Sequence, residues 1–224
     1  MNKFVPDLIV EATSVCDRAC AGCYAPNVVT TQSKSDLFRT NPEFFLEPSA
    51  LKSALRTLEH SVPVHTLAIR GGEPSRHPLL PELIAIAATS SSKVILETHG
   101  RWILEGGSGA NALLQACRDN NVQVKISFDR MHGLAADKLK TIWDLLQAQG
   151  LQILVAVTES SEAEFLKTRS LCHWVPESQI IFQMKAKSDA DLVRPNVGVI
   201  NRSGQLSLRL TSRLNSKHDA EGVA

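Results

Sequence analysis

The sequence predicts an α/β fold in which six parallel strands alternate with helices and a β-hairpin follows. Three observations predict it. Short apolar runs such as Leu8-Ile9-Val10 and Val94-Ile95-Leu96 alternate with longer stretches whose apolar residues recur at helical spacing. The unusual residues all fall where predicted strands end, and parallel sheets gather their sites at the carboxyl ends of strands. Finally, the chain has 224 residues, whereas a full eight-fold βα barrel takes about 250, so a barrel built from this chain is an incomplete one.

The elements follow in order. Residues 7–12 form a first strand that runs directly into a cysteine-bearing loop. Residues 24–47 are polar and irregular and read as a long loop. Pro48-Ser49 opens a helix with Leu51, Leu55 and Leu58 on one face. Residues 62–69 are a second strand ending at Arg70-Gly71-Gly72, and residues 78–88 a helix with Leu80, Leu83, Ile84 and Ala87 on one face. The third strand, Val94-Ile95-Leu96, ends near Thr98-His99-Gly100. Gly106-Gly107-Ser108-Gly109 reads as a flexible loop before a helix carrying Leu113, Leu114 and Cys117. Residues 122–128 are the fourth strand. Residues 134–149 are a helix with Leu139, Ile142, Trp143 and Leu146, and Gly150 is placed to terminate it. A fifth strand (153–157), a helix (162–172) and a sixth strand (180–184) complete the alternation. Residues 197–200 and 205–210 flank Asn201-Arg202-Ser203-Gly204 and read as a hairpin. The expected division is a core at 1–195, the hairpin at 196–210 and a disordered tail at 211–224.

Composition excludes several functions. A net charge of +1 gives no field for nucleic acid or a membrane surface. Aromatics are 5% of residues, with one tyrosine, too few for a base-stacking platform. No apolar run reaches 18 residues, which removes a membrane span. The start of the chain has no signal-peptide pattern, so a cytoplasmic location is expected. The five cysteines, Cys16, Cys20, Cys23, Cys117 and Cys172, are odd in number, which argues against a disulfide framework. Three of them are spaced C-x3-C-x2-C. Three close thiolates indicate a soft metal centre, zinc or iron–sulfur. A closed zinc site needs four ligands, and the nearest histidine in sequence is His60, far from the loop; a zinc knuckle completed by a distant residue is the alternative. Cubane clusters commonly take four cysteines, so three leave one iron open. Cys117 and Cys172 fall on predicted helices and read as buried small hydrophobes.

The loop Cys16-Asp17-Arg18-Ala19-Cys20-Ala21-Gly22-Cys23, placed after the first strand, together with Gly71-Gly72-Glu73-Pro74 after the second, resembles the radical S-adenosylmethionine (radical SAM) superfamily. The resemblance covers residues 7–184. It implies a partial (β/α)6 TIM-like barrel with parallel strands. It also implies a [4Fe-4S] cluster on Cys16, Cys20 and Cys23, and S-adenosyl-L-methionine chelated at the open iron. The segment Gly71-Gly72 is then expected to approach the cofactor, with Glu73 near the methionine amine. Thr98, Ser127 and Asp129 occupy positions that contact the cofactor in relatives. Many relatives carry an aromatic residue just before the third cysteine; here that position is Gly22, and the aromatic is Tyr24. His99 and His132 have no motif partner in the sequence.

The resemblance implies reductive cleavage of S-adenosylmethionine to a 5′-deoxyadenosyl radical, which abstracts hydrogen from a peptide or small-metabolite substrate in an oxidoreductase or lyase reaction. A low-potential donor such as flavodoxin or ferredoxin is the implied electron source. A glycyl-radical activating enzyme is one alternative, and a non-enzymatic iron–sulfur or zinc protein is another. No cysteine follows Cys172, so no second cluster on a local motif is expected. The segment before the first strand is too short for a fused leader-peptide-binding domain. With so little chain left to close the barrel, the substrate, a partner protein or a second subunit in a homodimer is expected to help cover the site.

Overall fold

A computed structural model of the chain describes residues 6–20, 23, 28–59, 63–184 and 197–209. Tyr24, Gly22 and the tail 211–224 lie outside the described residues.

Among the described residues, eight strands form one open sheet, in the spatial order β10-β9-β1-β4-β5-β6-β7-β8. The six expected strands are β1 (Leu8–Thr13), β4 (Thr66–Gly71), β5 (Lys93–Thr98), β6 (Gln123–Ser127), β7 (Ile153–Glu159) and β8 (Ile180–Met184), each parallel to its neighbour. Two short strands, β2 (Val15–Cys16) and β3 (Val28–Val29), pair separately. The connecting helices are α2 (Pro48–Glu59), α3 (Leu80–Ser90), α5 (Gly107–Asp119), α6 (Ala136–Ala148) and α7 (Glu162–Leu171). Parallel neighbours demand long crossovers, which the amphipathic helices supply.

The core lies between the helices and one face of the sheet. Leu8, Val10, Leu67, Ile69, Val94, Leu96, Val124, Ile126, Val155 and Val157 point there and meet Leu51, Leu55, Leu83, Leu113, Ile142 and Leu146. Strand alternation puts the residues between them on the opposite face. That face carries four charges in one row across neighbouring strands: Glu11, Arg70, Glu97 and Lys125. Lys125 is buried and donates to Glu97 at 2.8 Å, while Arg70 and Glu11 stand 4.0 Å apart.

Four features differ from the sequence reading. The segment 24–47 is not all loop: it contains β3, a helix α1 (Lys34–Thr40) and a 3₁₀ turn at Pro42–Phe44. Only Leu37 of α1 is buried, so the helix left no periodic signal. The glycines Gly107 and Gly109 are not in a flexible loop but in the first turn of α5, preceded by a short helix α4 (Arg101–Glu105). The second strand begins at Thr66 rather than at residue 62. The hairpin of β9 (Val197–Ile200) and β10 (Leu206–Arg209) is antiparallel as expected, but β9 also joins the main sheet, parallel to β1. The hairpin therefore extends the sheet beside the strand that carries the cysteines.

The hairpin turn rests on α2. Gly204 has φ +76°, and a Cβ there would meet the Ala50 Cβ at 2.7 Å. Gly204→Val is expected to cost about 1–2 kcal/mol through strain and overpacking. Amide exchange in β9 should quicken roughly tenfold while β5 and β6 keep their protection; unchanged exchange in β9 would contradict this packing.

Candidate cofactor site at the cysteine loop

The base of the cysteine loop is fixed before any cysteine is reached. β1 ends in an irregularity between Glu11 and Thr13. The Thr13 hydroxyl donates to the Phe44 carbonyl at 2.9 Å and accepts from the Val15 N–H at 3.0 Å. Phe45 packs edge-on against Phe38 and His77, and together with Val15 and Leu37 forms a small second core beneath the loop. His77 is buried; its Nε2 bonds the Leu46 carbonyl and its Nδ1 accepts from the Leu79 N–H. Burial pulls its pKa down to about 4. It is a neutral structural tie, with both ring nitrogens in use.

The glycine pair welds β4 to this base. Gly71 has φ +152°, and a Cβ on it would lie 2.2 Å from the Thr13 carbonyl oxygen. Only glycine permits that approach. The Gly72 N–H then donates to the Thr13 carbonyl at 2.7 Å, and the Glu73 N–H to the Val15 carbonyl at 2.9 Å. The tight approach required of Gly71 is therefore to the chain's own backbone.

Glu73 is 1% exposed. Its carboxylate accepts from the Thr98 hydroxyl at 2.6 Å, the His99 N–H at 3.0 Å and the Ser75 N–H at 3.1 Å. Thr98 is equally committed: its oxygen also accepts from the Gly100 N–H and the Trp102 indole N–H, both at 3.0 Å. The ends of β4 and β5 are thus joined through two side chains whose hydrogen-bonding capacity is engaged inside the protein.

His99 carries the network back to the loop. Its Nε2 lies 2.9 Å from Asp17 and 3.3 Å from Glu73. Burial disfavours its charged form, but the Glu73 and Asp17 carboxylates outweigh burial and hold its pKa above the ordinary value. Asp17 is correspondingly lowered, chiefly by its hydrogen bond to His99. Ligand atoms of Cys16, Asp17 and His99 lie within 4.8 Å of one another, a spacing that a metal ion could bridge. The Nδ1 of His99, however, accepts from the Arg101 N–H at 3.2 Å. That contact keeps a proton on Nε2, directed at the carboxylates, and a metal-bound histidine needs the reverse. The Asp17–His99 pair is better suited to holding the loop than to ligating metal.

The three motif cysteines grade outward: Cys16 is buried, Cys20 intermediate and Cys23 exposed. The Cys23 N–H donates to the Cys20 carbonyl at 3.1 Å, turning the loop back on itself. Burial pushes the Cys16 thiol up to about 11, and Cys20 is raised mainly by burial. Charge on Cys20 would raise Cys16 further, and charge on Cys23 would raise Cys20. Arg18 opposes the burial of Cys20 through its charge and a hydrogen bond. Such a set holds protons when free and releases them to a metal centre. Three neighbouring thiols with an arginine beside them fit an iron–sulfur cluster, which needs thiolate ligands and a countercharge. Cys117 and Cys172 are buried within the helical core, Cys117 raised to about 12 by burial.

At the end of β6, Ser127 is half-buried. Asp129 is buried in the turn that follows, accepting from the Met131 and His132 N–H groups at 3.0 Å and lying 2.8 Å from the His132 ring Nδ1. Asp129 is the partner that His132 lacked in the sequence. Arg101 clamps the same turn through the Gly133 carbonyl at 2.7 Å. The structure thus brings Gly71, Gly72, Glu73, Thr98, Asp129 and the cysteine loop to one end of the sheet. Asp17, Arg18 and Arg101 belong to the same assembly, and no motif in the sequence singled them out.

No protein-family model matches the chain, and no curated protein matches it. Solved structures do. Native anSMEcpe with bound AdoMet (S-adenosylmethionine) superposes with a TM-score of 0.56 at 15% identity, over 80% of this chain and 51% of that one. The same protein with AdoMet and the Kp18Cys peptide gives 0.55 at 16% identity, over 80% and 51%. With the Cp18Cys peptide it gives 0.53 at 15% identity, over 81% and 54%. The chain therefore spans about half the length of these structures. Its open, mostly parallel sheet is the partial barrel of the radical SAM fold.

Glu73→Gln would turn an amide N–H₂ toward N–H donors. The expected loss is about 1.5–3 kcal/mol, a fall in Tm of roughly 3–12 °C for a chain of this size; thermal unfolding unchanged within 1 °C would contradict the assigned role. The thiols set a pH dependence of opposite sense to that of carboxylates. Cys16 ionises at about 11 when folded, against an ordinary value of 9.0. The unfolded chain therefore loses the proton first. Metal-free protein should lose stability as pH rises from 9 to 11, and Cys16→Ser should flatten that slope; an unchanged slope would contradict it.

Proposed function

We propose that the chain is a radical SAM enzyme. Cys16, Cys20 and Cys23 would hold a [4Fe-4S] cluster, and S-adenosyl-L-methionine would bind at the iron they leave open. When bound, the two cofactors supply reductive cleavage of the sulfonium to a 5′-deoxyadenosyl radical that abstracts hydrogen from a substrate. The observation that carries this reading is the convergence of the three motif cysteines with the Gly71-Gly72-Glu73 weld at one end of a radical SAM fold.

The chain's own residues have separable parts. Gly71 and Gly72 hold β4 against the loop base, so the thiols stand at a fixed height above the sheet. Glu73, through Thr98 and His99, ties that height to β5. Ser127, half-buried at the end of β6, would contribute to binding S-adenosylmethionine. Tyr24, just past the third cysteine in sequence, would supply the aromatic for the adenine. Gly72, Glu73, Thr98 and Asp129 would shape the cofactor's surroundings. On the face opposite the helices, Arg70 with Glu11 and Lys125 with Glu97 would offer a substrate hydrogen-bonding groups among buried apolar residues such as Ile9 and Ile95.

A peptide is the favoured substrate class, since solved neighbours of this fold hold peptides together with AdoMet. Among the described residues, β8 and β10 are the two outer strands of the sheet. A substrate, a partner or a second subunit would cover the side between them.

Anaerobic reconstitution with iron and sulfide should give a brown protein. Reduction with dithionite in the presence of S-adenosylmethionine should then yield 5′-deoxyadenosine. Cys20→Ala should abolish both the brown absorbance and the product. Failure of the wild-type chain to bind both a cubane cluster and S-adenosylmethionine would overturn the proposal, and unchanged iron content in Cys20→Ala would overturn the ligand assignment.

A further inference from the structure

Lys34, the first residue of α1, lines a cavity of about 340 Å³ that also touches α4 and the start of α5. Trp102, Ala110 and Leu113 give the cavity an apolar wall, and Ser33 and Ser75 a polar one. The Lys34 side-chain nitrogen donates to the Ser75 carbonyl at 3.2 Å. It joins no salt bridge among the described residues. A lysine half-removed from water with only a neutral partner holds its proton weakly.

The groups around it act in the same direction. Arg76 lines the cavity and donates to the Gln32 carbonyl. A Cβ on Gly109, in the first turn of α5, would be 3.9 Å from the Lys34 Nζ. That helix starts with no side-chain cap, so its positive end stands beside the amine. The remaining titratable groups of the cavity are Asp17, His99 and Glu105. Asp17 is bonded to His99 at 2.9 Å and feels the charge of Arg76, and Glu105 is exposed at the rim. Burial first, and Arg76 second, lower the Lys34 pKa. Lysines that attack carbonyl groups are those desolvated in a pocket or set beside a second cation. Both conditions hold here. A neutral amine keeps its bond to Ser75 with one hydrogen and retains a lone pair for attack.

We propose that Lys34 is a nucleophilic amine that captures a small, largely apolar aldehyde in this cavity as an imine. The amine lone pair forms a bond to the carbonyl carbon, and the π pair of the C=O bond moves to oxygen. The oxygen takes up a proton and the nitrogen releases one. Loss of water then leaves a C=N bond, with no electron exchanged and no oxidant needed. Trp102, Ala110 and Leu113 would receive the body of the aldehyde. The inner wall of the cavity is the Asp17–His99 pair, and Asp17 Oδ1 is 4.0 Å from the Cys16 sulfur. An occupant would therefore lie one side chain away from the cysteine loop. The site is independent of whether that loop holds a cluster.

Salicylaldehyde serves as the probe, with cyanoborohydride to trap the imine on the metal-free full-length chain near neutral pH. Peptide mass spectrometry reads the rate of labelling at each lysine. Lys34 should label roughly tenfold faster than the exposed Lys52 and Lys138, the ratio given by a pKa about one unit lower. Its rate should saturate with aldehyde concentration, because the aldehyde first occupies the cavity, whereas the rates at Lys52 and Lys138 should rise linearly. Arg76→Gln removes the neighbouring cation and should slow Lys34 about twofold or more. Gly109→Leu fills the space beside the amine and should abolish saturation. Circular dichroism checks that each variant is folded. Labelling of Lys34 no faster than of Lys52, or a linear dependence on aldehyde in the wild-type chain, would overturn the proposal. An unchanged rate in folded Arg76→Gln together with unchanged saturation in folded Gly109→Leu would overturn it as well.

Discussion

One buried carboxylate organises the working end of this protein. An ionised group with 1% exposure is stable only if its oxygens are fully met. Glu73 meets that condition by drawing on the Ser75 N–H beside it and on the Thr98 hydroxyl and the His99 N–H of the next strand. The Glu73 backbone N–H meanwhile bonds the Val15 carbonyl. One residue thus ties three chain segments together: the base of the cysteine loop, the end of β4 and the end of β5. The glycines before it follow from the same constraint. With a side chain at 71, the Thr13 carbonyl would be displaced, and the Glu73 N–H could not reach Val15.

Electrostatics then divides the region into two sides. Toward the polar face of the sheet, charges are matched across neighbouring strands, as in Lys125 with Glu97. Toward the helices, Lys34 and Arg76 share a cavity with Asp17 and Glu105, and the Asp17–His99 pair stands beside the Cys16 sulfur.

Much of this was legible in the sequence. The six parallel strands follow from apolar runs of the right length, because a strand buried on its helix side must be apolar at alternate positions at least. The cysteine spacing and Gly71-Gly72-Glu73 marked the right end of the sheet. The rest depended on contacts between distant residues. Thr98 lies 25 residues beyond Glu73, and Lys34 reaches Ser75 across 41; neither pairing leaves a local pattern. Helix α1 was missed because its single buried residue, Leu37, gives no period. Gly107 and Gly109 read as a loop, yet at a helix start their low propensity is overridden by packing of Ala110 and Leu113. Strand alternation puts Asp129 on the same side as Ser127; β6 ends at Ser127, and the Asp129 carboxylate accepts from its own turn and lies against His132.

The central claim is that three thiols hold a cluster with one iron left for S-adenosylmethionine. Electron paramagnetic resonance of the reconstituted, reduced chain, recorded before and after addition of S-adenosylmethionine, addresses it most directly. A cubane signal whose g-values and line shape shift on addition, saturating at one equivalent, is the predicted result. A signal indifferent to S-adenosylmethionine, or a loop that takes up zinc and no iron, would contradict the account.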